Sequence, residues 1–195
     1  FFKSYQAGMK KSFTFHVCGM PESLVDEKIR DTVNLFSENK DVEFAILAHQ
    51  YIIDVKVSVK GEDELILDEI INRIKDEFAA ILGDNIFGYD KDSLESAVQK
   101  LLIENKKTVS AAESCTGGMI SSRLTNTPGS SLCFKQSVIT YSNESKISLL
   151  SVKEETIKQF GAVSQNAAEE MLNGILNLSK TDYAVSVTGI AGPEG

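Results

Sequence analysis

The sequence is short of several residue types: its 195 residues include no tryptophan, two histidines, three prolines and three cysteines. The cysteines, Cys18, Cys115 and Cys133, are odd in number and have no C-x-x-C spacing. This argues against both a disulfide framework and a zinc site. No apolar run approaches the roughly 20 residues that a membrane helix requires. We therefore expect a cytoplasmic protein with reduced thiols, no membrane segment, and no metal or other cofactor.

Charge is divided unevenly along the chain. Residues 1–95 carry 11 Lys and Arg against 19 Asp and Glu, a net charge of −8, whereas residues 96–195 carry nine of each sign. An acidic surface repels a phosphate backbone, and nucleic-acid binding normally depends on a basic face. We therefore do not expect nucleic acid as a partner.

Residues 1–88 predict a small α+β domain, with about 12 residues at the start belonging to a preceding domain or a linker. Strands are predicted over residues 13–18, 42–48 and 51–59. In the third, the apolar residues Tyr51, Ile53, Val55, Val57 and Val59 alternate with polar ones, which is typical of a half-buried antiparallel sheet. Two helices, beginning near Pro21 and after Asp63, carry apolar stripes: Val25, Ile29, Val33 and Phe36 in the first, and Leu67, Ile70, Ile74, Phe78 and Ile81 in the second. The turn-rich segment 83–90 predicts the domain boundary.

Residues 89–195 predict an α/β domain in which helices cover a sheet. Asp92 and Glu95 resemble a capping box, and the helix that follows is expected to bury Leu94, Val98, Leu101 and Leu102. Strands are predicted over residues 108–112, 136–141 and 183–187. Helices are predicted near 118–124, from Glu144, from Glu154 and over 167–178. Because the alternating pattern stops just after a strand, we expect a domain truncated at its C-terminus, with exposed apolar surface that favours a homo-oligomer.

The segment 113–118, Glu-Ser-Cys-Thr-Gly-Gly, is the strongest functional signal. A serine hydroxyl precedes two adjacent glycines and a predicted helix, and glycines allow the backbone to approach a ligand closely. The backbone N–H groups of Thr116, Gly117 and Gly118 then suit a developing oxyanion near Ser114. A plain strand-to-helix turn is the alternative interpretation.

A serine nucleophile also needs a base. The second half of the chain contains no histidine, so a Ser-His-Asp triad would have to use His16 or His49 from the first half. Lys146 is the other candidate, because burial or a positive neighbour lowers the pKa of a lysine towards neutrality. The alternative is a solvated lysine at the start of a helix.

Five segments, residues 112–118, 127–131, 140–146, 160–164 and 187–193, occur in the order of the signatures of the CinA C-terminal family and resemble them. That family includes the PncC-like nicotinamide mononucleotide (NMN) deamidases. The resemblance covers about half the chain, from near Ser93 to the end, and the preceding segment resembles the KH-like middle domain of full-length CinA proteins. It implies a KH-like domain over residues 1–88 and a deamidase domain over 89–195. The implied reaction converts NMN to nicotinic acid mononucleotide and ammonia.

The resemblance also implies a role for individual residues. Ser114 is expected to be the nucleophile, Lys146 the general base and Tyr141 an orienting or proton-relaying hydroxyl, in a mechanism that needs no metal. The expected substrate contacts are Glu113, Thr116, Gly117, Gly118, Asn143, Thr188, Gly189 and Gly192. Glu113 is expected to orient either a lysine or a ribose hydroxyl. The 188–193 loop is expected to shape the pocket or contact the phosphate, with a plain turn as the alternative.

Two departures from the family pattern keep other functions open. The Gly-x-x-Gly loop with which KH domains clamp nucleic acid is absent, because Gly19 and Gly61 are the only glycines of residues 13–82. Lys135, Gln136 and Ser137 stand where the family usually has a glycine pair, and larger side chains there are expected to narrow the pocket. The alternatives are a catalytically silent competence/damage-inducible interaction module and a nucleotide-binding scaffold.

Overall fold

Residues 8–192 are described by a computed structural model, and the chain divides into two packing units between Leu94 and Glu95. The division falls a few residues after the boundary predicted at residue 88. Residues 1–7 of the predicted linker and residues 193–195 of the final predicted loop, including Pro193, lie outside the described residues. Within residues 8–192, no helix is both long enough and apolar enough to cross a membrane.

The first unit packs two helices on one face of a four-stranded antiparallel sheet. Its elements are β1 (Met9–Cys18), α1 (Glu22–Ser37), β2 (Val42–Ala48), β3 (Ile52–Gly61), α2 (Glu64–Leu82) and β4 (Ile86–Tyr89). The strands lie in the order β2-β3-β1-β4. Asp63 caps α2, since its carboxylate accepts a hydrogen bond of 2.9 Å from the Leu65 amide.

The alternation predicted for β3 builds the core of this unit. Val55, Val57 and Val59 are completely buried against the helices. Tyr51 was wrongly assigned to the inward face: its side chain is 87% exposed, and its φ of 66° places it in the turn before β3. The buried stripe of α2 also differs slightly from the prediction and consists of Leu67, Ile71, Ile74, Phe78 and Leu82.

The strand β4 was missed, and β1 begins four residues earlier than predicted, at Met9. In β4, Gly88 pairs with His16 of β1. Gly88 suits this position because a Cβ there would lie 2.6 Å from the Cβ of Asp92. The turn residues on either side of Ile86 and Phe87 concealed a short edge strand, since edge strands tolerate such composition.

Both histidines of the chain contact one carboxylate in the first unit. His16 Nδ1 lies 2.7 Å from Asp54 Oδ1, and His49 Nε2 lies 3.1 Å from Asp54 Oδ2. His16 Nε2 lies 3.0 Å from the carbonyl oxygen of Asp90. Both nitrogens of His16 therefore face acceptors, which an imidazolium satisfies. Burial alone would lower the pKa of His16, but these hydrogen bonds and the nearby charges of Asp54 and Asp92 raise it above 6.5.

This raised pKa predicts a pH-dependent stability for the first unit. A group with a raised folded-state pKa stabilises the fold fully below its unfolded pKa, about 6.5 for histidine, and this contribution is lost as the pH rises through the folded value. We expect the urea unfolding midpoint, followed by circular dichroism, to fall as the pH rises above about 6.5, the unfolded value. The fall should be smaller in His16→Gln than in the parent chain. An equal fall in both would show that His16 is not responsible.

The second unit is a three-stranded parallel sheet with helices on both faces. Its elements are α3 (Leu94–Glu104), β5 (Val109–Glu113), α4 (Met119–Thr125), β6 (Phe134–Ile139), α5 (Asn143–Leu150), α6 (Glu154–Phe160), α7 (Gln165–Ser179) and β7 (Tyr183–Val187). The strands lie in the order β6-β5-β7, so the central strand β5 is buried along its whole length. One face packs against α5 and α7 around Ala112, Leu150 and Met171.

The helix α3 does not bury the stripe predicted for it. Val98 is 38% and Leu101 60% exposed, whereas the polar Gln99 is buried and donates a 2.7 Å hydrogen bond to the carbonyl of Pro128. The carboxylate of Asp92, the residue predicted to cap this helix, accepts a hydrogen bond of 2.9 Å from the Tyr89 amide. The helix therefore packs through a face that its apolar spacing did not indicate.

Candidate active site

The parallel strands of the second sheet end at one edge, where open α/β sheets bind their ligands. Ser114 follows β5, Thr140 follows β6 and Thr188 follows β7. The Ser114 amide donates a 3.0 Å hydrogen bond to the carbonyl of Val187, which ties the first of these loops to the end of β7. The sheet thus brings together segments far apart in the sequence.

Lys146 reaches this edge from α5. Ser142 caps the helix, its hydroxyl accepting from the Ser145 amide at 3.1 Å. Helical side chains lean towards the helix N-terminus, and Lys146 Nζ accordingly lies 3.0 Å from Ser114 Oγ. The two side chains are buried, with Lys146 2% and Ser114 5% exposed. The predicted nucleophile and the predicted base are therefore in hydrogen-bond contact.

The surroundings of Lys146 favour a neutral amine. Its Nζ lies 2.7 Å from the carbonyl of Thr140 and 3.4 Å from that of Tyr141, and no carboxylate within the described residues forms an ion pair with it. Burial lowers the pKa of Lys146 below 10.5, with a smaller opposing effect from Cys115. A neutral amine has two N–H donors for the two carbonyls, which leaves its lone pair for the hydroxyl proton of Ser114.

The Glu113 side chain points away from the Ser114–Lys146 pair, which we call the dyad, because successive residues of a strand point to opposite faces. Its carboxylate is completely buried and accepts from the amides of Gly118 and Ile120, both at 3.1 Å, and from the Ser121 amide at 2.9 Å. Burial alone would raise the pKa of Glu113, but hydrogen bonding, with Ser121 as the leading partner, lowers it. In the structure this side chain anchors the loop after Ser114, and its contact with the substrate stays a prediction.

The glycine amides predicted as oxyanion donors are already engaged. The Gly118 amide donates to Glu113, and the Gly117 amide donates to the Ser114 carbonyl at 3.0 Å. Among residues 8–192, the amides of Cys115 and Thr116 have no hydrogen-bond acceptor. The two glycines instead allow the loop to adopt positive φ angles, which are 58° at Gly117 and 99° at Gly118 and which glycine tolerates best. Of the three predicted donors, only Thr116 is available.

Tyr141 and Asn143 lie at the mouth of the site. The Tyr141 side chain is 67% exposed, and within the described residues its hydroxyl has no hydrogen-bond partner. Its contact with Lys146 is made by the backbone carbonyl, so its predicted role as a proton-relaying hydroxyl is not seen here. Asn143, the first residue of α5, is exposed.

The loop after β7 contributes three predicted residues. Thr188 Oγ1 donates a 2.8 Å hydrogen bond to the carbonyl of Ala162, which fixes the start of the loop. A Cβ on Gly189 would lie 2.9 Å from Cys115 Sγ, so the two loops meet closely there. Within residues 8–192, no atom lies within 4 Å of a Cβ placed on Gly192. This loop therefore borders the site, with Gly189 against the residue that follows Ser114.

Three contributors were not predicted as site residues from the sequence: the Thr140 carbonyl, Ser121, and Ser137, which was noted only as a departure from the family's glycine pair. The Thr140 carbonyl is a backbone group, and no side-chain pattern identifies it. Ser121 binds the Glu113 carboxylate through both its amide and its hydroxyl, and its Oγ lies 2.6 Å from Ser137 Oγ. Isolated serines in a helix and a strand carry no spacing that predicts such contacts.

Comparison with known families bears on both units. Residues 91–195 match the family model described as the CinA C-terminal domain. Residues 12–88 match the one described as the damage-inducible protein CinA KH domain. The chain belongs to the CinA family. The fold class predicted from the family resemblance, a KH-like α+β domain followed by an α/β CinA C-terminal domain, is thereby confirmed.

Individual relatives and solved structures agree with this membership. A CinA-like protein of Endomicrobium trichonymphae is 56% identical over the whole chain, which covers 46% of that relative. The chain thus spans about half the length of the curated relatives it matches. The competence/damage inducible protein CihA of Agrobacterium tumefaciens is 43% identical with a TM-score of 0.51, over 52% of this chain and 62% of that one. For the competence damage-inducible protein A (ComA) of Klebsiella pneumoniae the identity is 38% and the TM-score 0.52, over 52% and 63%.

Proposed function

We propose that this CinA-family chain is an amidohydrolase that converts NMN to nicotinic acid mononucleotide and ammonia, in pyridine nucleotide recycling. One observation carries the catalytic part of the proposal: Lys146, which is buried and has no acidic partner among residues 8–192, lies 3.0 Å from the buried Ser114 at the ligand-binding edge of the sheet. Such a contact supports a hydrolase over the silent module, for which no serine–lysine contact is needed. The choice of NMN comes from the family resemblance of the five segments.

In the first step, Ser114 Oγ attacks the carboxamide carbon while its proton passes to Lys146 Nζ. The reaction requires the amine to be neutral beforehand, and the burial of Lys146 favours that state. The two carbonyl acceptors, Thr140 and Tyr141, hold the Nζ in place and stabilise the ammonium that forms. The metal-free assignment rests on this pair, which supplies both nucleophile and base.

The carbonyl oxygen of the substrate becomes an oxyanion in this step. We assign its stabilisation to the amides of Cys115 and Thr116, the donors beside Ser114 that have no acceptor in the described part of the chain. An amide directly after the nucleophile is a recurrent oxyanion donor. The nitrogen of the substrate amide then takes up the proton held by Lys146 and leaves as ammonia when its bond to carbon breaks, and an ester remains on Ser114. Water hydrolyses this ester with Lys146 again as the base.

The proposal is tested by incubating the purified chain with NMN. We expect stoichiometric ammonia and nicotinic acid mononucleotide, and a covalent adduct on Ser114 detectable by mass spectrometry after rapid acid quenching. Nicotinamide riboside, which lacks the phosphate, is the matched control for nucleotide recognition. Absence of ammonia release from a folded chain would contradict the assignment and favour the interaction module.

The lowered pKa of Lys146 predicts the pH dependence of the activity. The base works only when it is neutral, so kcat/KM should fall as the pH falls through the pKa of Lys146. Because burial lowers that pKa below 10.5, the inflection should lie on the neutral side of the ordinary lysine value. Steady-state kinetics across the pH range would locate it. A limb that rises only at the pKa of a solvated lysine would argue against Lys146 as the base.

A further inference from the structure

We infer that Glu113, Ser121 and Ser137 form a positioning network that holds the nucleophile loop, and that Ser137 extends it where the family usually has glycine. The inference rests on the proposed function, since the loop matters through Ser114. None of the three residues touches the Lys146 amine in the structure. They act through the loop, and we therefore treat them as positioning residues.

The Glu113 carboxylate is the centre of the network. Three backbone amides and the Ser121 hydroxyl donate to its two oxygens, and it is completely buried. Hydrogen bonding lowers its pKa in spite of its burial, so at neutral pH it is an ionised, acceptor-only group. Charge-assisted hydrogen bonds of this kind are stronger than neutral ones. Glu113 therefore fixes the backbone from Gly118 to Ser121 against the end of β5.

This anchoring determines which amides remain available near Ser114. The loop is held before the nucleophile by the bond from the Ser114 amide to Val187, and after it by the bonds to Glu113. Between these two fixed points, the amides of Cys115 and Thr116 find no acceptor among the residues that the structure describes. The network thus holds the backbone in a conformation in which the amides assigned to the oxyanion do not donate to acceptors within the loop.

Ser137 continues the network on the neighbouring strand. In the parallel register β6 places it opposite Ala111, on the same face as Glu113. Ser121 Oγ is the donor in its 2.6 Å contact with Ser137 Oγ, and the same hydroxyl contacts the Glu113 carboxylate, so its one proton lies between two acceptors. A glycine at this position has no hydroxyl to accept this bond. The chain of bonds therefore runs from Ser137 through Ser121 to Glu113.

The same geometry revises the expectation that this segment narrows the pocket. Ser137 lies on the Glu113 face of the sheet, opposite to the face that carries Ala112 and packs against α5 and α7. Lys135 lies near the amino end of β6, where its Nζ donates to the Ser131 carbonyl at 2.8 Å. Neither side chain is directed at the Ser114–Lys146 contact. At these two positions, the larger side chains that replace the family's glycines support the loop and do not block the pocket.

The test uses Glu113→Gln and Ser137→Ala, with Glu155→Gln and Ser122→Ala as controls on exposed positions of α6 and α4. Loss of a hydrogen bond to a buried charge should raise amide exchange at Gly118, Ile120 and Ser121 by about tenfold or more in Glu113→Gln, and by a few-fold in Ser137→Ala. Labelling of Ser114 by a fluorophosphonate should slow by similar factors. We expect kcat for NMN to fall with little change in KM.

Amide exchange separates the network from the proposed reaction, because it needs neither NMN nor a reactive serine. If the parent chain does not hydrolyse NMN but exchange rises in both variants, the network stands and the substrate assignment fails. Exchange and labelling within about twofold of the parent in both variants would overturn the network. Should Glu113→Gln fail to fold, Ser137→Ala decides, since it removes only one hydrogen bond between neutral groups.

Discussion

Replacement of Ser114 by alanine is expected to lower the turnover of NMN by about 10³-fold or more while the chain stays folded. The substitution removes the attacking oxygen, and with it the covalent step. It takes away one hydroxyl whose contact in the described structure is with Lys146 Nζ, so little stability is lost. Ammonia release measured beside circular dichroism separates loss of chemistry from loss of fold.

Lys146→Met should cause a loss of about the same size, because methionine fills the space of the buried stem without providing a base. The decisive measurement is the double variant. Residues that act as one unit give non-additive losses, so Ser114→Ala combined with Lys146→Met should be little slower than either single variant. Lys153→Met, an exposed lysine just after α5, is the matched control and should keep full activity. Losses that multiply in the double variant would contradict a cooperating dyad.

Periodicity predicted most of the regular elements because burial imposes it. The strand over 183–187 has its predicted bounds, and the alternation of Val55, Val57 and Val59 reports a buried face directly. The same reasoning failed for α3 and β4. In α3 the apolar residues at helical spacing, such as Leu101, stay exposed. Their spacing predicts that the helix has an apolar stripe, but it does not predict which element, if any, packs against that stripe. In β4 the pairing with β1 is a non-local contact, which four residues of local sequence cannot encode.

The candidate site was likewise predicted from the sequence only in part. Ser114 and Lys146 were identified from the chemistry that a serine requires and from the family resemblance, and the structure brings them to 3.0 Å. The role of Glu113 was not predictable in this way. Its position beside the nucleophile suggested a ligand contact, whereas strand geometry directs it to the opposite face and towards backbone amides. Backbone hydrogen bonding also decides which loop amides are available to an oxyanion. The sequence does not predict this, because the backbone amide is the same in every residue type except proline.

The helices α7 and α5 approach closely at Gly174. This contact holds α5, and with it Lys146 of the dyad, in position. A Cβ there would overlap the carbonyl oxygen of Leu150 and lie 2.8 Å from the Leu150 Cβ. Leu150 is one helical turn beyond Lys146 on α5. Because the obstacle is backbone, an added methyl group has to push α5 as a whole and cannot be accommodated by one side chain turning away.

Gly174→Ala is therefore expected to lower the free energy of unfolding by about 1–3 kcal/mol, the usual cost of overpacking. The sign is informative, since helix propensity alone favours alanine over glycine by up to about 1 kcal/mol. Displacement of α5 also moves Lys146 from Ser114, so NMN turnover should fall by about tenfold or more, as even a small misplacement of a catalytic group is costly. Asn173→Ala, at an exposed position of the same helix, should leave both quantities nearly unchanged. A Gly174→Ala chain that unfolds at higher urea concentration than its parent would show that α5 is free to move, and that the lysine is not held by this contact.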